Sequence, residues 1–467
     1  MSSAGIQNIV PAGIPNGEQT QTHRSSDLTS LIHRSKGTRM RAIVAFVFLL
    51  TSSSALHAQT DPILLKCGML LDVRAGTLTK DAWILVDGAT IRRVGTDRRF
   101  PNDVKLIDLI DLTVMPGLID AHTHIVLHAG NYDDQIMKET PEYRAIYATA
   151  NALTTLKAGI TTIRDLGNEG AGYADIALRD AINRGIVPGP RILASIMPVG
   201  SIGSYGLAGF SPYVHVPSLS YEADGPEEMQ KRVRRLVKEG ADQIKVYIES
   251  YERKQLSSDT LTGAMNFSDE ELKSVVEEAH RSGLKVAAHV YSDGGARQAI
   301  VAGVNSIEHG LYLTEETFRL MAAKGIYYVP TLLVYEYWRD SRIFGPISPG
   351  DRVKLSHTVT KHIETFRRAL RTPVKIVFGS DTFELPGTNA RELELMVKYG
   401  MSPRDALRAG TSVAAELLGI DKTVGTLEEN KMADIIAVEG NPIANIEDLR
   451  KVVFVMKEGQ VYVSRNK

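Results

Sequence analysis

The stretch Val114-Met115-Pro116-Gly117-Leu118-Ile119-Asp120-Ala121-His122-Thr123-His124 is a short apolar run that ends in two histidines. Such a run reads as a buried strand, and the two-residue period of a strand turns His122 and His124 to the same side. Two neutral imidazoles at one strand end can share a metal. The pair alone fits two unrelated histidines equally well, so its meaning depends on what stands at the ends of the other runs.

Those runs follow at regular intervals. Residues 161–166, 191–199, 243–248, 284–290, 304–309, 326–333 and 374–380 are apolar and short, and with the opening strand they make eight. Amphipathic segments at 227–239, 268–282 and 314–324 lie between them, with Gly240, Gly283 and Gly325 placed as helix stops. Eight strand and helix alternations predict an α/β fold, a (β/α)8 TIM barrel over 117–417, with its active site at the C-terminal strand ends. The irregular stretch 200–224 after the third strand is rich in Gly, Ser, Tyr and Pro and reads as a substrate-covering loop.

Outward from the barrel the texture changes. Residues 63–114, and again 434–438 and 452–463, read as short β-type runs broken by turn signals such as Asp87-Gly88 and Lys457-Glu458-Gly459. Two strand-rich flanks predict one small β-sandwich domain built from 59–116 and 418–467. Residues 1–39 are polar and without period, and read as disordered or as an over-extended gene start. Met40-Arg41, the apolar run 42–50, a Ser-rich patch and Ala55-Leu56-His57-Ala58 have the three parts of a secretory signal, 40–58, with cleavage after Ala58. Leu56 is not the small residue usual at its place, and a retained N-terminal anchor is the alternative. The run is too short to span a bilayer comfortably, so the expectation is an exported protein, periplasmic or secreted, without a stable membrane span.

Composition narrows the chemistry. A formal net charge of -1 gives no electrostatic ground for nucleic acid or an anionic membrane as partner. The single cysteine, Cys67, excludes an intrachain disulfide and a multi-thiolate metal site, so any metal is held by nitrogen and oxygen.

The strand ends supply such ligands. Lys245 stands in I-K-V-Y, His289 in V-A-A-H-V, His309 in S-I-E-H-G and Asp381 in F-G-S-D-T, each at the downstream end of its run. With His122 and His124 they form one set of four imidazoles, a carboxylate and an amine. That set suits two divalent metal ions sharing a bridging hydroxide, zinc foremost, with Mn²⁺, Co²⁺ or Fe²⁺ also acceptable. An ammonium would repel the metals; the neutral amine of Lys245 can take up carbon dioxide and become N6-carboxylysine, an anionic bridge. Asp381 is the expected catalytic residue, taking a proton from the water and returning it to the leaving amine.

In this order the motifs V-M-P-G-L-I-D-A-H-T-H, A-G-I-T-T-I-R-D-L-G, I-K-V-Y, A-A-H, I-E-H-G and G-S-D-T resemble the amidohydrolase superfamily, in its binuclear, carboxylated-lysine form. The tail from M-V-K-Y-G-M-S-P-R-D-A-L-R-A-G-T through G-T-L-E-E-N-K-M-A-D-I-I-A-V extends the resemblance over nearly the whole mature chain. By position it implies that His122, His124, Lys245 and Asp381 hold the buried metal, and Lys245, His289 and His309 the more exposed one. The chain looks most similar to the branch of imidazolonepropionases, Xaa-Pro and Xaa-Arg dipeptidases and N-acyl amino acid hydrolases of the ochratoxin-degrading kind.

That branch implies cleavage of an amide in a dipeptide or N-acyl amino acid. Tyr247, on the strand face of Lys245, is the first candidate for the substrate carboxylate; His128, Arg164, Tyr205 and His215 are further substrate-binding candidates. Arg164 has a second reading, a pair with Asp165 below the site. The loop P-V-G-S-I-G-S-Y-G departs from the histidine-containing loop of several branch members, so specificity is not inherited with the fold. Family members often assemble, which makes a homo-oligomer an expectation. The alternatives are a cyclic-amide hydrolase, a lactonase or esterase, and a non-catalytic binding protein; the complete ligand set weighs against the last.

Overall fold

Four strands precede the paired histidines: β1 (Ile63–Asp72), β2 (Thr77–Asp87), β3 (Thr90–Gly95) and β4 (Lys105–Pro116). The middle of the chain carries β5 (Leu118–Thr123), β6 (Ile160–Asp165), β7 (Arg191–Ala194), β8 (Val199–Ser201), β9 (Tyr221–Ala223), β10 (Ile244–Tyr247), β11 (Val286–Val290), β12 (Ser306–His309) and β13 (Tyr327–Val329), all but β9 belonging to the barrel. Three more close the chain: β14 (Ile435–Val438), β15 (Val452–Lys457) and β16 (Gln460–Val463). This computed structural model describes residues 61–97, 103–207, 209–249, 265–340, 349–382 and 386–465. The proposed signal at 40–58 and the segment 1–39 lie outside them. Among the described residues no helix is long and apolar enough to cross a membrane.

Both ends of this span share one seven-stranded sheet in the order β16-β15-β14-β4-β1-β2-β3. Alternation divides its faces. Ala82, Ile84 and Val86, Ile435 and Ala437, and Phe454 and Met456 point into a private core with Leu65, Cys67 and Ile91. The residues between them, Ile436 and Val455, pack with Met115 into the barrel core instead. The sheet also curls until its far strand meets the chain entering β14, where Ile91 N donates to Lys431 O at 2.8 Å and Ala433 N to Ala89 O at 2.8 Å. The two-ended β-sandwich domain is therefore a sheet folded over its own core and seated on the barrel.

The barrel strands run parallel, β5-β6-β7 in one ladder and β8-β10-β11-β12-β13 in the next. The third strand is not one run as expected. It breaks at Ile196, whose φ is 64°, so that β7 pairs with β6 and β8 with β10. The eighth position, 374–381, forms only an isolated bridge, Tyr328 to Ile376, yet backbone bonds flank it on both sides. Tyr328 N donates to Lys375 O at 2.9 Å on one side, and Ala121 N to Phe378 O at 2.9 Å on the other, closing the ring against β5. The seventh strand is shorter than its apolar run, because Leu332–Asp340 is helical.

Helices form where the amphipathic segments predict them. Asp269–Arg281 starts on a capping box, with Ser268 Oγ accepting from Glu271 N at 3.2 Å and Glu271 Oε2 from Ser268 N at 2.8 Å. Pro226–Glu239 and Glu315–Lys324 stop at Gly240 and Gly325, both left-handed. The loop after the third strand adds β9 beside β8 and leaves Tyr213 99% exposed at its tip.

Candidate metal centre

Strand alternation through the end of β5 turns His122 and the next-but-one residue, His124, to one side, and the end of the eighth position brings Asp381 to them. Asp381 Oδ1 lies 3.5 Å from His122 Nε2 and 3.4 Å from His124 Nε2. The other ring nitrogens fix the tautomers. His124 Nδ1 is 2.9 Å from the carbonyl of Gly167, which can only accept, so that nitrogen carries the hydrogen. His122 Nδ1 is 2.9 Å from Glu308 Oε2, which asks the same of it. Two imidazole lone pairs thus face a carboxylate oxygen with no hydrogen between them. Burial, and next the charge of Lys245, hold His122 well below the usual imidazole range. Burial also lowers His124, and it drives the Asp381 carboxyl well above its usual range. Three converging acceptors, buried and all within 4.8 Å of one another, are a donor set that a divalent cation satisfies.

The remaining ligand candidates stand beside this triad. His309 Nδ1 is 3.9 Å from Asp381 Oδ2 and 2.7 Å from Thr331 Oγ1. Its backbone is left-handed at φ 70°, as is that of Asp381 at 51°, conformations that persist only when the surroundings impose them. For His309 those surroundings are Tyr328 Oη at 3.0 Å and His362 Nε2 at 3.1 Å, both on its carbonyl. The His289 ring lies 4.6 Å from that of His309 and 4.8 Å from that of Tyr247. Lys245 is buried, its Nζ 5.4 Å from the Tyr247 ring, and burial lowers its ammonium to about 8. The chain brings all six residues to one barrel end, with His122, His124 and Asp381 the tightest group.

Residues outside the expected set hold this arrangement. Asp120 accepts from His122 N at 3.1 Å, Ser380 N at 3.0 Å and Asn389 Nδ2 at 2.8 Å, tying β5 to the eighth position; burial pushes its carboxyl up to about 6. Glu308, fully buried, bridges His122 to Arg164, whose Nη2 lies 2.8 Å from Oε1. Arg164 was expected at the substrate or paired with Asp165. Its guanidinium is instead shared among Ala121 O, Ser306 Oγ at 3.0 Å and Glu308, inside the barrel beneath the histidines.

The other substrate candidates divide. Tyr205 stacks on Tyr247 with ring centroids 3.9 Å apart and planes 9° from parallel. Tyr247 was expected to hold a substrate carboxylate, but its hydroxyl points at another carboxylate, Glu169 Oε1 at 3.5 Å, where like charge would oppose one. His128 is turned away to Glu139, 2.9 Å from Nε2, and to the Tyr147 ring. His215 is exposed on the loop.

Comparison with known proteins agrees with this geometry. The Amidohydrolase family pattern matches residues 113–462. An ochratoxinase of Aspergillus niger is 33% identical over 371 residues, 75% of each chain. An imidazolonepropionase of Acinetobacter baumannii is 26% identical over 391 residues, 77% of this chain and 87% of that one. A solved Xaa-Pro dipeptidase with methionine bound in its active site superposes with TM-score 0.77 and 35% identity, covering 86% of this chain and 100% of that one. With its barrel, its two-ended β domain and its cluster of histidines and aspartate, the chain belongs to the amidohydrolase family and is a hydrolase of amide carbon–nitrogen bonds.

Proposed function

We propose that this hydrolase is metal-dependent and releases an amino acid from a dipeptide or an N-acyl amino acid. The observation that carries the reading is the convergence of His122 Nε2, His124 Nε2 and Asp381 Oδ1 on one point, with Lys245, His289 and His309 beside it. The similarity to an ochratoxinase and to a Xaa-Pro dipeptidase supports the substrate class.

His122, His124 and Asp381 would hold one ion, His289 and His309 a second, and Lys245, carboxylated, would link the two. Bound there, such ions supply Lewis acidity for the scissile carbonyl and a water acidic enough to attack near neutral pH. Asp381 would take a proton from the attacking water on a carboxylate oxygen and give it to the departing nitrogen. Glu308 and the Gly167 carbonyl keep the ring hydrogens of His122 and His124 on Nδ1, turning both lone pairs inward. We extend the proposal to export through the segment 40–58.

The test is release of free amino acid by the full-length, zinc-loaded chain from a panel of dipeptides and N-acyl amino acids. Chelator-sensitive release is expected, with Asp381→Asn and Lys245→Ala folded but lowered by several powers of ten, and Lys245→Ala partly restored by a short carboxylic acid. Undiminished turnover after exhaustive metal removal would sink the reading.

A further inference from the structure

Glu169 is a buried carboxylate at the same end of the barrel, 2% exposed, on left-handed backbone with φ 48°. Arg144, itself buried, imposes that conformation: Nη1 donates to the Glu169 carbonyl at 2.7 Å and Nη2 to the Asn168 carbonyl at 3.3 Å. The arginine therefore spends its donors on backbone. Among the described residues no lysine or arginine pairs with the Glu169 carboxylate itself.

The two carboxylate oxygens are unequally served. Oε2 accepts the hydroxyl of Tyr132, with Tyr205 Oη at 3.4 Å. Among the described residues Oε1 has only contacts at the outer limit of hydrogen bonding, Tyr247 Oη at 3.5 Å and His124 Nδ1 at 3.3 Å, and the hydrogen of that nitrogen is already given to Gly167 O. A buried carboxylate without a cation is costly, and the stacked rings of Tyr205 and Tyr247 form an aromatic wall beside it. Carboxylate and aromatic ring together are what a primary ammonium group seeks.

We propose that Glu169 Oε1 receives the α-ammonium group of the substrate, so that the enzyme prefers dipeptides with a free amino terminus to N-acyl amino acids. The proposal rests on the amino-acid-releasing reading above and divides its two substrate classes. The distances suit it. The α-ammonium sits on the carbon next to the scissile carbonyl. Glu169 lies one imidazole ring away from Asp381, at 3.3 Å from one nitrogen of His124 while the other is 3.4 Å from the catalytic carboxylate. Glu169 is thus a specificity-determining residue.

The experiment compares glycyl-L-amino acids with propionyl-L-amino acids, in which a methyl group replaces the ammonium at nearly constant shape, using the full-length, zinc-loaded chain. The expected kcat/KM ratio favours the glycyl substrates by about 10- to 100-fold, the worth of one charge-assisted hydrogen bond. Glu169→Gln is expected to bring the ratio close to one, mainly through KM. The wild-type ratio is decisive even if the variant does not fold. Equal or better hydrolysis of the propionyl series overturns this proposal and leaves the amino-acid-releasing function standing. A loss in Glu169→Gln that is equal for both series also overturns it, assigning the residue to His124 alone. Silence on both series overturns this proposal together with the function it rests on.

Discussion

Glu308 is the side chain on which His122 depends most. Its carboxylate joins Arg164 to His122 Nδ1, a carboxylate–imidazole pair of the kind that orients metal ligands. Glu308→Gln is expected to weaken zinc binding about 10- to 100-fold, read by competition with a chromogenic chelator in the resting protein. An unchanged affinity would reduce Glu308 to a packing group. Cys67 offers a second prediction, from pH. Burial pushes its thiol up to about 12 from 9.0, so the stability it contributes is complete below pH 9 and drains away as pH rises from 9 towards 12. At ~1.4 kcal/mol per unit, wild type should lose about 4 kcal/mol relative to Cys67→Ala across that window, measured by urea unfolding. A constant difference would refute the assignment. The six ligand candidates were legible because each is a polar group set in or just after an apolar run. Glu308 was not, although it stands next to His309: alternation puts neighbours on opposite faces, and only the left-handed turn at His309 lets both serve the same side. Glu169 was hidden for another reason, since its partners Tyr132 and Tyr247 lie 37 and 78 positions away in the chain.

At the level of elements, the eighth barrel position is the least regular and the most demanding. Gly379 passes so close to β5 and β13 that a Cβ there would press on Val329 and stand 2.8 Å from the Cβ of His122. Gly379→Ala should therefore cost about 1 to 3 kcal/mol in stability and weaken metal binding by shifting His122. Thermal unfolding with and without zinc checks both, and an unperturbed midpoint would mean that the ring relaxes there at no cost. Apolar runs located all eight positions, because burial on both faces of a parallel strand is written as continuous hydrophobicity. They did not locate the break at Ile196 or the shortness of the seventh and eighth ladders. Those depend on how the ring closes, through pairs such as Tyr328 with Ile376 that no local pattern encodes.

For the whole molecule, the seven-stranded sheet makes the last part of the chain a structural necessity. Cutting after residue 438 removes β15 and β16, and with them Phe454 and Met456 from the private core and Val455 from the barrel core. Such a truncation is expected to yield aggregated protein without a cooperative unfolding transition; a soluble chain with the wild-type midpoint would show that the barrel stands alone. The two-ended domain was readable from matching strand texture at both flanks, but its order was not, because β14 inserts beside β4 from the opposite end of the sequence. Synthesis runs in one direction, and the Thr113 hydroxyl finds the Gly440 carbonyl only 327 positions later. Until those residues are available to pair, β4 has an open edge whose amides and carbonyls can template contact between unfinished chains. Folding is then expected to wait for the final strands, and an agent that shields strand edges should raise the yield of folded chain where one that accelerates the barrel would not.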